Sequence, residues 1–537
     1  MPGGGASAAG GELKRTVVGL VLSAAFFAAV MTGSSSAAAG VEHLHFEAGP
    51  YTITPGANLI LVDHHAIPKP AVDGFMVGMA PNLHYALPNG KCCGAIPRVD
   101  VIHLHHGVWL SNGQAGAGEG NGYAGGIYPF MAAGEEKTRF EFPSGYGYPV
   151  GARDAWFLNY MIHDLTHRGA KVYVTYDLDF VPATDPLAAT IKPIHPIWMD
   201  VQSHHIYPVF DVHRFSGKNG KFTYPDMAGN PYGPGPALNL FTIDHPGTLV
   251  GTAGHLHPGG LYDDLDVIRA GASPSGGAIP GTVPNAVRLF RSNAHYFDPR
   301  GPISWDMAMT ATAADWRPRV SVGDTLRISA TYDTTRASWY EAMGIMVVWE
   351  AWNDESGVDP FTHAVDQAGH VTHGHLAENR HHGGTVNIAP NLKKFKSCFT
   401  HKVIIGGFHF TPGDFTSTGS DRCTPTVRAG QSLRFVNNDA YPAPKTLTFT
   451  SVITPNPNYL RSVFHSVTAC QYPCGLDTGI SYPIAGGAGN YDSGQLGDGT
   501  PAVGRLDWRT PTNLAPGTYT YFCRIHPFMR GLFRIIR

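Results

Sequence analysis

The chain has 537 residues, 38 Lys+Arg against 41 Asp+Glu, with 43% hydrophobic and 15% charged residues. That balance is globular; it argues against a disordered chain and against a basic surface built for a phosphate backbone, so no nucleic-acid partner is expected. The 65 Gly and 42 Pro fall among short runs of Val, Ile, Tyr, Phe and Thr, which favours an all-β fold; at about 150 residues per domain the length suits three or four domains.

The N-terminus reads as a targeting segment over 1–39. Lys14 and Arg15 give a basic start, Val18 to Met31 an apolar run, and Ser34 to Ala39 a small-residue cleavage region. The expected location is therefore secreted or cell-envelope, with an uncleaved anchor as the alternative. Export permits disulfides among the 7 Cys. Cys398 with Cys423 and Cys470 with Cys474 are the natural pairs, while Cys92 and Cys93 can join each other or distant partners.

Two units of similar texture follow, over 40–190 and 191–354, each expected to be a β-sandwich. In the first, Val101–Leu110 (VIHLHHGVWL) carries His103, His105 and His106, and a later strand carries His163. Side chains alternate along a strand, so adjacent His105 and His106 share a face only if a bulge turns one of them. In the second, His255-Leu256-His257 has the i,i+2 spacing that puts two imidazoles on one strand face, and the segment from Tyr340 to Trp349 offers Met343, with Met346 as alternative. Singly, such pairs are more often polar surface or satisfied core groups than ligands. The 28 His, many in pairs or one residue apart, make metal the leading suspicion.

Residues 355–394 are polar and hold His363, His370, His373, His375, His381 and His382. They read as a His-rich linker. The last unit, 395–537, has strand-like runs at Val403–Phe410, Gly517–Arg524 and Gly531–Ile536. Its closing hairpin, YFCRIHPFMRG, sets Cys523, His526 and Met529 three residues apart in one tight loop. With His465 that makes two imidazoles, a thiolate and a thioether, the donor set of a blue copper centre.

This unit resembles the cupredoxins, with a loop like that of amicyanin and plastocyanin; the Asn437-Asn438-Asp439 turn and the His-Ser-Val-Thr segment accompany it. The resemblance implies a Greek-key sandwich holding one type 1 copper. The order His-His, His, His-x-His, Glu-x-Met over roughly 50–354 resembles the type II dicopper monooxygenases, the peptidylglycine alpha-hydroxylating and dopamine beta-monooxygenase family. That resemblance implies two jelly-roll-like domains and two further mononuclear coppers: His105, His106 and His163 at an electron-supplying site, and His255, His257 and Met343 at an oxygen-activating, catalytic one, facing each other across open solvent. His103 and His167 are extra histidines near the first.

The implied activity is hydroxylation with dioxygen, fed by an external electron donor or redox partner. The peptide-processing members hold a peptide carboxylate with an Arg, an Asn and a Tyr where this chain has Ala253, Ile345 and Val347, so a small, weakly polar substrate fits better. Peripheral association with a membrane or membrane complex is left open. The nonenzymatic alternative is an electron-transfer or copper-handling protein. A multicopper oxidase would need a His-Cys-His around Cys523, which does not occur.

Overall fold

The computed structural model describes residues 40–537 apart from 58–59, 64, 114, 121–125, 167, 202–208, 226–238, 270–284, 300, 303, 337, 366, 380–395, 416–422, 441–448, 452–453, 456–462, 471–490 and 498–504. The targeting segment 1–39, His167, His381, His382 and Cys474 therefore lie outside the described residues. The fold is all-β, as the Gly- and Pro-punctuated texture predicts, and its only helical pieces among the described residues are two short 3₁₀ turns. No helix among the described residues is long and apolar enough to cross a membrane.

In the first unit two sheets enclose a core. One orders Glu42–Ile53, Ala170–Pro182, Gly74–Tyr85, Tyr146–Val150 and Lys192–Pro193, with Phe140–Glu141 beside the third; the other orders Ile60–Val62, Trp156–Asp164, Ile102–Ser111 and Tyr128–Gly134. Gly74–Tyr85 alternates buried and half-buried residues, the period-two signature of a sheet with one face on a core. Ile102–Ser111 is buried at all ten positions. Leu104, Val108, Trp109 and Leu110 of this strand pack into the first unit's core, and His103, His105 and His106 are buried on the same strand.

The second unit is built on a twelve-stranded sheet rather than two separate ones. Its two halves, one containing Gly247–His255 and Ile345–Trp352 and the other Gly260–Ile268 and Thr325–Asp333, contribute Leu249, Met346, Leu265, Ile328 and Tyr332 to a single core. The expected open cleft between the two units is absent among the described residues, because Met343, Ile345, Val347 and Trp349 of the second unit belong to the first unit's hydrophobic core. Apolar side chains at these positions make closure favourable, by about 25 cal/mol per Å² buried.

The segment expected to be a linker is docked where it is described. His370–Val371 pairs with Met307–Ala311, Lys137 Nζ bonds Glu378 Oε1 at 2.6 Å, and the Val99 N–H donates to Asn379 Oδ1 at 3.2 Å. His375 Nε2 lies 2.9 Å from Asp306 Oδ2, and His373 Nε2 donates to the Glu136 carbonyl. These contacts tie both units together, and they occupy ring nitrogens that a metal would need.

The C-terminal unit is a sandwich of a five-stranded sheet (Lys396–Phe399, Cys423–Arg428, Arg530–Ile536, Gly517–Phe522, Thr468–Cys470) and a four-stranded one (His409–Thr411, Lys402–Gly406, Arg434–Asn437, Asp507–Arg509). Val403, Ile405, Phe410, Phe435, Tyr521 and Phe533 fill it. Disulfides join Cys398 to Cys423 and Cys92 to Cys93, Cys470 is also disulfide-bonded, and Cys523 is a free, buried cysteine.

Candidate metal centres

The strand Gly517–Phe522 ends one residue before Cys523, and the chain turns back into Arg530–Ile536. Two backbone bonds close the turn: the Cys523 N–H donates to the Met529 carbonyl at 3.1 Å, and the Met529 N–H to the His526 carbonyl at 2.8 Å. Cys523 Sγ lies 3.8 Å from His465 Nδ1 and 3.7 Å from His526 Nδ1, with 3.2 Å between the two nitrogens. A triangle of those sides has a centre about 2.1 Å from each corner, within ordinary metal–nitrogen and metal–sulfur bond lengths. Met529 is fully buried in the same cluster as Cys523.

The partners of these ligands fix their protonation pattern. His465 Nε2 donates to Asp439 Oδ2 at 2.9 Å, and His526 Nε2 donates to the Gly56 carbonyl at 3.0 Å. A carbonyl or carboxylate only accepts, so each Nε2 holds the proton and each Nδ1 turns a lone pair toward Cys523. The Ser466 N–H points at the sulfur at 3.3 Å, a contact that favours thiolate. Burial, then the neighbouring His465 and His163, keep His526 well below the ordinary imidazole range and hence neutral.

The same logic recurs where the units meet. His103 pairs across the ladder with His163, and a bulge between Leu104 and His106 leaves His105 unpartnered, which lets His105 and His106 become neighbours. Ring centres of His103, His105 and His163 stand 5.3, 5.7 and 5.8 Å apart. Three imidazoles sharing one ion would be separated by roughly 5–5.5 Å. His106 lies 6.0 Å from His105 and sits beside Asn159 and His255, so His103 takes the place beside His163 that the family order assigns to His106. The alternation rule accounts for this: His103 is the direct cross-strand neighbour of His163, and His106 is displaced past the bulge to face Met161.

His103 Nδ1 donates to the Val99 carbonyl at 2.6 Å and His163 Nε2 to the Ile525 carbonyl at 2.8 Å. The opposite nitrogens of both rings, both nitrogens of His105, and Nδ1 of His106 are buried with no hydrogen-bond partner. Burial holds His106 near about 3 and His163 near about 4, and pushes His103 and His105 well down. These are neutral, buried imidazoles with unused lone pairs, a costly arrangement that a metal ion would relieve. Trp305, a residue with no metal-ligand chemistry to mark it in the sequence, lies 4.4 Å ring to ring from His103 and 5.2 Å from His105.

His105 and His257 rings are 3.9 Å apart, so the histidines of the two units form one continuous buried cluster. His255 Nδ1 donates to Glu136 Oε2 at 2.9 Å, and His257 Nδ1 donates to the Glu341 carbonyl. The Glu341 carboxylate lies 3.9 Å from His105 Nε2, whereas Asp164 holds the Thr166 turn and Asp244 bonds half-buried His245. Met343 is fully buried, its backbone held by the Tyr332 hydroxyl, and its side chain joins the first unit's apolar core. A small, partly open cavity lined by His163, Trp305, Trp339, Glu341 and Arg524 among others adjoins the cluster.

Among the described residues, ligand atoms converge within 4.8 Å at three places: His465, Cys523 and His526; Glu135, His255 and His257; and the mostly exposed His45, Glu47 and Cys93, whose cysteine is spent in a disulfide. His103, His105 and His163 are brought ring to ring without that convergence. Glu135 and Glu136 escape a sequence reading because an acidic pair before Lys137 resembles an ordinary solvent turn.

No protein-family model matches the chain, and no curated protein does. Among solved structures, a purple cupredoxin from Nitrosopumilus maritimus is matched over 26% of this chain and 100% of its own, at 13% identity and a TM-score of 0.15. A copper-containing nitrite reductase from Thermus scotoductus is matched over 55% of this chain and 59% of its own, at 14% identity and a TM-score of 0.16. The major capsid protein of bacteriophage PM2 is matched over 59% of this chain and 100% of its own, at 8% identity and a TM-score of 0.20. The last unit of this chain is a two-sheet β-sandwich whose closing loop carries Cys523, His526 and Met529.

Proposed function

We propose that this chain is an exported copper-dependent oxidoreductase. In this reading His465, Cys523, His526 and Met529 hold a blue copper, and the buried histidine cluster holds two further coppers used for monooxygenase-type chemistry on a small, weakly polar substrate. Copper supplies single-electron transfer at the first place and dioxygen activation at the second. The protein's own part is positional. His465 and His526 are pre-aligned by Asp439 and Gly56, and burial keeps His103, His105, His106 and His163 neutral.

The observation that carries the reading is the bond from His163 Nε2 to the carbonyl of Ile525, which lies between Cys523 and His526 in the loop. One hydrogen bond and two residues of backbone thus separate the thiolate from the cluster. A second reading, an electron carrier without oxygenase activity, is favoured by the burial of the histidine cluster and by the wholly apolar set Ala253, Ile345 and Val347, in which Ala253 pairs with Val347.

Elemental analysis of oxidised full-length protein, with spectroscopy separating blue from colourless copper, tests this. Three coppers per chain, one blue, with reductant-dependent oxygen uptake is the expected result. A single blue copper that persists after controlled loading overturns the oxygenase reading in favour of the carrier. Cys523→Ser should abolish the intense visible absorption and remove one copper per chain.

A further inference from the structure

His255 and His257 are fixed by partners of one kind. Glu136 Oε2, a carboxylate held in place by the Gly134 N–H at 2.9 Å, accepts from His255 Nδ1; the Glu341 carbonyl accepts from His257 Nδ1. Neither partner can donate, so both imidazoles carry their proton on Nδ1 and both Nε2 atoms present lone pairs. Those two Nε2 atoms face each other at 3.1 Å. Two acceptors at that distance repel unless a cation sits with them.

The third group converging there is Glu135. It is 2% exposed, and neither carboxylate oxygen has a hydrogen-bond partner. One of those oxygens lies within 4.8 Å of a nitrogen on each ring. A buried carboxyl group with no side-chain partner is costly, and here it lies within ligand distance of both imidazoles. Met343, by contrast, is settled in an apolar core.

We propose that Glu135, His255 and His257 form a mononuclear site for a divalent first-row transition-metal ion, with the Glu135 carboxylate rather than the Met343 thioether as third ligand. Two imidazoles and one carboxylate make a harder site than two imidazoles and a thioether, one that favours the divalent over the cuprous state and leaves coordination positions open. Glu136 and the Glu341 carbonyl are its positioning groups. The inference shares with the reading above the use of His255 and His257 as ligands, and it replaces that reading's third one.

The test uses the full-length Cys523→Ser chain, so that no thiolate competes, stripped of metal and titrated with cobalt(II). X-ray absorption at the cobalt edge should show the same nitrogen and oxygen neighbours in this chain and in its Met343→Leu derivative; sulfur at bonding distance that Met343→Leu removes would assign Met343 and overturn the proposal. Glu135→Gln, nearly isosteric, should lower the number of tightly bound cobalt ions by one per chain, with affinity at that site reduced at least about tenfold, while Met343→Leu leaves both unchanged. Identical cobalt stoichiometry and affinity in parent and Glu135→Gln chains would mean that the cation between the imidazoles is only a proton, and would equally overturn it. The visible absorption of the unsubstituted chain loaded with copper reads the Cys523 centre separately, so failure of the blue-copper reading and failure of this site give different results.

Discussion

The Nε2–H of His163 donates to the carbonyl of Ile525 at 2.8 Å, joining the strand Trp156–Asp164 of the first unit to the loop that carries Cys523 and His526. The reciprocal contact runs from His526 Nε2 to the Gly56 carbonyl. Two rings from opposite sides of the junction are thus each held by the other side's backbone. Replacing His163 separates its roles: His163→Gln keeps an amide donor within reach of the carbonyl, and His163→Phe does not. Both should retain the visible absorption of the Cys523 centre. Reoxidation of the reduced centre by dioxygen, followed by rapid mixing, should be slower in the Phe variant than in the Gln variant by roughly tenfold. Equal rates would remove the hydrogen bond from the electron route.

Gly134 is required by closeness. A Cβ there would lie 2.5 Å from the His105 carbonyl oxygen, 2.6 Å from His255 Cε1 and 2.9 Å from Glu136 Oε2. The carbonyl belongs to a paired strand and cannot withdraw, so the imidazole must move. Gly134→Ala should cost about 1–3 kcal/mol in urea unfolding and weaken metal binding at His255.

Asp211 links stability to pH. Burial, then the charges of Glu341 and Asp492, raise its carboxyl from 3.8 to about 8, against the opposing help of the Gln495 amide at 3.2 Å and of Arg505. Below pH 3.8 both folded and unfolded chains hold this proton. As pH rises from there to about 8 the unfolded chain releases it and the folded chain does not, so stability falls across that window, by up to about 1.4 kcal/mol per pH unit. Asp211→Asn should flatten the profile and be more stable than the parent at pH above about 8. Denaturation midpoints at several pH values check this; parallel profiles would contradict it.

The Cys398–Cys423 bridge spans 25 positions and ties two neighbouring parallel strands at the edge of the C-terminal sandwich. Cys398→Ser with Cys423→Ser should cost about 2–4 kcal/mol in that unit, chiefly by freeing the unfolded chain. Because neither cysteine of the bridge is among the residues that converge with Cys523, the visible absorption should survive until the unit unfolds, which a thermal melt followed at that wavelength would register.

The all-β class, the Cys398–Cys423 pairing and the convergence of His465, Cys523 and His526 were legible in the sequence. The class rests on turn residues between alternating runs, and Cys523 and His526 stand three residues apart in one tight loop; His465, 58 positions away, and the cysteine pair 25 apart were legible by residue type and family pattern rather than by local spacing. The bulge beside His105 was legible only as a condition, since adjacent histidines require one but do not announce it. The docking of His370–Val371 and Glu378 was hidden because polar segments look alike whether solvated or tied down.

By itself the sequence determined which chemistry is available: many imidazoles, one free thiol within a ligand loop, and sheets to hold them. Tertiary structure alone decided who shares a site. His103 replaced His106 beside His163 because strand register, a long-range pairing, sets cross-strand neighbours. Glu135 comes within ligand distance of His255 and His257 with its carboxylate oxygens unspent, while Met343 is packed in an apolar core. Nothing local in the chain encodes that contest; it is settled by what each side chain gains or loses when the units close over it.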